Sequence, residues 1–139
     1  MNTTMSERRQ LEPSTTSTPQ RGELAGIASL GVVIAIHTSE LSGKIEETAY
    51  LGFGYVLLIG ASIVSIVLLT HRDRRGWLLG ALACAAAIAG FVLTRTTGLP
   101  NANGDIGNWG ETIAIWSLIA EGFVVVLALI HLAGLRARP

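Results

Sequence analysis

The sequence predicts an all-α fold, specifically a four-helix transmembrane bundle. Half of the residues are hydrophobic, only 14% are charged, and mean hydropathy is +0.50. An ordinary soluble domain is more polar than this. The apolar residues fall into four runs, over 24–41, 48–70, 77–94 and 111–132. Each is near the ~20 residues that cross a hydrocarbon core of ~30 Å. None shows the period-2 alternation of a strand, and lone glycines inside such runs are common in membrane helices.

Residues 1–23 are polar, carry Pro13 and Pro19, and have nothing to bury. They read as a disordered cytoplasmic tail. The run over 24–41 exceeds a signal-peptide core and lacks a small-x-small cleavage site, so it is expected as a mature helix. The second run carries Gly52, Gly54, Gly60, Ala61, Ser62 and Ser65. The third is small on nearly every side, from Gly80 through Ala86 to Gly90. Small residues let membrane helices approach closely, so the third helix is expected to be the most enclosed, or to dock another subunit together with the second. The fourth run completes a four-helix domain over 24–135, and residues 136–139 form a short tail.

Basic residues set the orientation. With the N-terminus inside, the cytoplasmic segments hold Arg8, Arg9, Arg21, Arg72, Arg74, Arg75, Arg136 and Arg138, against Lys44 and Arg95 outside. Eight against two predicts both termini cytoplasmic. Formal net charge is zero, and no basic face suggests nucleic acid. His71 and His131 fall at the inner ends of their helices and read as interfacial.

Two ionisable residues, His37 and Glu121, lie within spans. Hydrocarbon penalises a charge at a helix centre by about 2.5–3.5 kcal/mol on insertion scales, so such residues face a protein interior and have a partner. At ~1.5 Å per residue, His37 stands roughly 20 Å up the first helix, level with Ser117 on the descending fourth. Glu40 is one turn above His37, and Ser117 one turn above Glu121. If the first and fourth helices are neighbours, these residues form a polar strip open to the outside. Tyr50, Tyr55, Arg95, Asp105, Trp109 and Glu111 are its expected companions; the alternative, purely structural reading of Glu121 is a protonated hydrogen-bond donor between helices or an anchor for Arg95. The segment 95–110 is rich in turn formers: Asn103-Gly104 favours a tight turn, and Gly98-Leu99-Pro100 an abrupt helix exit. It is expected to be a structured cap, with Leu99 and Trp109 at the interface.

His37 and Glu40, the loop Arg95-Thr-Thr-Gly-Leu-Pro100, then Asp105-Ile-Gly-Asn-Trp109-Gly-Glu111 and Glu121 resemble a group of small bacterial four-helix membrane proteins. That group carries a first-helix histidine and an R-T-x-G-L-P loop ahead of an acid in the fourth helix. The resemblance covers about residues 24–133. It implies the same architecture, a bacterial inner-membrane location and the same choice of residues, and supplies no activity.

Several chemistries lack their residues. His37 and His131 fall in opposite leaflets and both methionines are in the tail, so haem is not expected. Cys84 is the single cysteine, which leaves a packing role and no disulfide chemistry. No nucleophile motif surrounds Ser117, so no catalytic constellation is identified and an enzyme is not expected. The leading expectation is a polar outer pocket binding a cation or small ligand on His37, Glu40 and Glu121. Imidazole with carboxylates suits a divalent metal such as Zn or Cu(II). The alternatives are an accessory subunit of a larger membrane complex, and a proton-coupled transporter working through Glu121, for which no internal repeat is visible.

Overall fold

The computed structural model describes residues 21–136, with side chains through Gly134. Most of the expected N-terminal tail, and the C-terminal tail beyond Arg136, lie outside the described residues. Four helices follow one another: α1 (Arg21–Glu47), α2 (Ala49–Thr70), α3 (Arg74–Thr96) and α4 (Thr112–Arg136). All four are long and apolar enough to cross a membrane.

The first helix is longer than its apolar run at both ends. Residues 21–23, expected in the tail, form its first turn, where Glu23 suits the positive end of the helix dipole and lies 3.6 Å from Arg72. At the other end, residues 42–47, expected as a loop, continue the helix with Lys44 in the last turn. At ~1.5 Å per residue this helix spans about 40 Å and projects beyond the hydrocarbon. Only Thr48 separates it from α2, in extended conformation at φ −159°. The reversal is so tight that a side chain on Gly52 would run into Ile45. The α2–α3 turn is also short, three residues from His71 to Asp73. Arg72 takes a left-handed φ of 56°, and Asp73 caps α3 by accepting the Arg75 N–H at 2.9 Å.

Short connections make α1, α2 and α3 antiparallel in turn, and α4, reached through the longer 97–111 segment, packs on α3 and closes the ring against α1. The core runs through Leu30, Val33, Leu58, Leu69, Trp77, Cys84, Val124 and Ala128. Outward positions are apolar too: Phe53, Leu82, Leu129 and Ile130 are exposed. That pattern suits a bundle whose surrounding solvent is lipid. The third helix is not the most enclosed element. Its buried share equals that of the other three spans, and Ala85, Ala86 and Ala89 face outward. Small side chains allow close approach on any face, but among the small residues of this helix only Gly76, Gly80 and Cys84 are fully buried, with Ala81, Ala83 and Ala87 partly buried against the core.

Candidate functional site

The adjacency of α1 and α4 brings His37 to Glu121. The imidazole Nε2 stands 3.5 Å from a Glu121 carboxylate oxygen, and both side chains are almost wholly buried. The other ring nitrogen, Nδ1, lies 3.0 Å from the Val33 carbonyl. A carbonyl only accepts, so Nδ1 carries a proton and donates, which aims Nε2 at the carboxylate. Ser117, one turn earlier on α4, donates its hydroxyl to the same Glu121 oxygen at 2.8 Å. Tyr55 reaches in from α2 and packs edge-on against the imidazole, with ring centroids 4.7 Å apart.

This cluster forms one wall of a cavity of about 640 Å³ in the half of the bundle nearest the 97–111 segment. Glu40, Tyr50, Arg95, Asp105 and Glu111 also line it. Nine of the ten expected site residues therefore share one cavity. Trp109 does not line it; it is half exposed and rests edge-on against Phe91, with centroids 5.9 Å apart.

The outer end is built around Arg95. The side chain is buried, and its guanidinium grips Asp105 at 2.6 Å through one terminal nitrogen and Glu111 at 2.5 Å through the other. It also lies over the Phe91 ring, 4.9 Å from the centroid. Arg95 thus anchors on loop acids, not on Glu121 as one reading of the sequence had it. The Asp105 carboxylate is shared with Lys44 at 3.4 Å. Partial burial opposes ionisation of Asp105, but Arg95 and Lys44 outweigh it and hold the carboxyl below its ordinary value.

Gly98 turns the chain out of α3 at φ 73°, its N–H donating to Leu93 at 2.9 Å. One tight turn then falls at Pro100-Asn101, and a second begins at Asn103-Gly104, closed by the Ile106 N–H donating to the Asn103 carbonyl at 3.3 Å. The Ala102 N–H returns to Leu99 at 2.8 Å, and Asn101 takes φ 58°. In the first of these, proline presets one central position and asparagine tolerates the left-handed one. The Pro100 carbonyl accepts from the Tyr50 hydroxyl at 2.7 Å, so the segment is fastened to α2 as well.

Lys44 is the charged cavity residue that sequence reasoning left out of the site. It lies seven residues after His37 and four after Glu40, hence on their face, but the helix was expected to stop before it.

The expected metal set does not assemble. Among the described residues no group of three His, Cys, Asp or Glu side chains is placed to hold a metal ion. His37 and Glu121 meet through one nitrogen and one oxygen, and the second imidazole nitrogen is committed to the backbone. Glu40, a turn away, makes no ion pair among the described residues.

No protein-family model, curated protein or solved structure matches the chain significantly.

Proposed function

We propose that this integral membrane protein binds a small organic cation in the capped pocket, at the end formed by His37, Glu40 and Glu121. One observation supports this above others: the polar end of the cavity consists mainly of acceptors. The Glu121 and Glu40 carboxylates offer lone pairs, and the Ser117 and Val33 bonds orient the Glu121 and His37 side chains. The two nearby cations are spent elsewhere, Lys44 on Glu47 and Asp105, and Arg95 on Asp105 and Glu111. An ammonium or amidinium group satisfies such a pocket, and the Tyr55 ring lines the same wall. Both termini are assigned to the cytoplasmic side from the basic-residue bias. The cap then faces outward.

The test compares benzylammonium with benzyl alcohol by equilibrium binding to purified protein in detergent. Benzylammonium is expected to bind at least tenfold more tightly, with the preference lost in Glu121→Gln. Equal affinity for the alcohol, or full binding to Glu121→Gln, overturns the assignment. Orientation is checked in whole cells with single cysteines at Asn103 and Arg74 in a Cys84→Ser background. Only the first should react with an impermeant maleimide.

A further inference from the structure

The α2–α3 interface is closed at one end and open at the other. Near the short turn the helices touch: the Ser65 hydroxyl donates to the Gly76 carbonyl at 2.6 Å. A Cβ placed on Gly76 would stand 2.9 Å from both Leu69 and the Ser65 carbonyl, and one on Gly80 would stand 2.8 Å from the Ser65 hydroxyl. Toward the cap the same helices present Gly54 and Gly90, which both line the cavity, and a Cβ at either meets nothing within 4 Å.

The cavity reaches this opening. Leu57 of α2 and Leu82 of α3 both line it, yet they are 56% and 70% exposed. Gly54, Ala86 and Gly90 continue the same border. Leu57 and Leu82 each stand about 12 Å into a membrane-spanning helix, so the opening faces acyl chains and not water. The outer end of the cavity, by contrast, is crossed by the Tyr50–Pro100 bond and by the Lys44 and Arg95 ion pairs to Asp105.

We propose that the ligand is a membrane-borne amphiphile, a long-chain alkylammonium, that reaches the pocket sideways through the α2–α3 opening. Its ammonium head sits at Glu121, His37 and Glu40, and its chain lies between α2 and α3 along Leu57, Leu82 and Ala86. The head assignment rests on the reading of the pocket given above; the chain and the route rest on the opening alone. The chemistry is complementary at both ends, with acceptors and negative charge buried at one and apolar side chains bordering lipid at the other.

The experiment uses the full chain in lipid nanodiscs, with dodecylammonium and butylammonium as probes and dodecanol as the uncharged control. Dodecylammonium, counted per lipid, is expected to bind at least tenfold more tightly than butylammonium and than dodecanol. Filling the opening with Gly90→Leu should weaken dodecylammonium at least tenfold while changing butylammonium less than threefold. Leu82→Trp, at an outward position, is a second plug should Gly90→Leu fold poorly, and Trp77 fluorescence reports the core in Gly90→Leu. Butylammonium binding that matches dodecylammonium and ignores both plugs overturns the lateral route and leaves the cation pocket standing. Failure of both amines to exceed dodecanol overturns the pocket reading itself. Dodecylammonium binding that survives Glu121→Gln unchanged is partitioning into lipid, and also overturns the proposal.

Discussion

Removing His37 and Glu121 singly and together measures whether they form one site. The atoms that meet are 3.5 Å apart, and the side chains are 8% and 3% exposed. Two full charges at that distance attract by about 5 kcal/mol at an effective dielectric of ~20, an upper bound before desolvation is subtracted. A neutral pair sharing one proton is worth about 0.5–1.5 kcal/mol net. The expected coupling in a double-mutant cycle of His37→Ala and Glu121→Ala therefore lies at about 1–3 kcal/mol. Each single variant costs more than this, because His37→Ala also strips the Tyr55 ring of its partner and Glu121→Ala leaves the Ser117 hydroxyl without its acceptor. The readout is equilibrium unfolding in mixed detergent micelles, followed by tryptophan fluorescence, in which Trp77, 3% exposed, is the core reporter beside the exposed Trp109 and Trp116. A parallel cycle of Glu121→Ala with Arg95→Ala is the control. Arg95 spends its terminal nitrogens on Asp105 and Glu111, so coupling there should stay below about 0.5 kcal/mol. Additive energies for His37 and Glu121, or an equal coupling in the control, would refute the shared site.

Arg95→Ala leaves Glu111 without its cation and Asp105 with Lys44 alone. The Arg95 side chain is 4% exposed but its partners are 25% and 38% exposed. The cost therefore falls between surface and buried pairs, at about 2 kcal/mol, and protease cleavage within 98–110 should accelerate. Gly80→Ala should destabilise by about 1–3 kcal/mol in the same unfolding assay, because its Cβ meets the Ser65 hydroxyl, whereas Gly90→Ala should be neutral or stabilising. The cap should also loosen in acid. The folded value of Asp105 lies below its ordinary 3.8, so its contribution is fully present above about pH 4 and is lost as pH falls through the lowered value. Hydrogen exchange of the 98–108 amides should hold steady from pH 7 to 5 after correction for intrinsic rates, rise below 4, and lose that acid limb in Asp105→Asn.

Much of the architecture is legible in the chain because hydrocarbon is a demanding solvent. Every backbone polar group must be satisfied internally, so four long apolar runs can only be helices, and short polar connections make neighbours antiparallel. The same penalty singles out His37 and Glu121, since a charge at that depth has to face protein. Helix ends were less legible: the hydropathy of residues 42–47 falls before their helical preference does, which hid Lys44.

Composition, depth and the basic-residue bias were thus determined by the sequence alone, because each is a property of a residue and its neighbours in the chain. Only the tertiary structure decided that α4 packs on α1, that Arg95 takes Asp105 and Glu111 over Glu121, and that α2 and α3 part toward the cap. In lipid no hydrophobic force ranks one helix face above another, and a run of small residues permits close approach on every side. Which faces meet is settled by a few specific fits, the Gly76 and Gly80 notches against Ser65 and Leu69 and the reach of Ser117 and His37 to one carboxylate, and these exist only once four helices stand together.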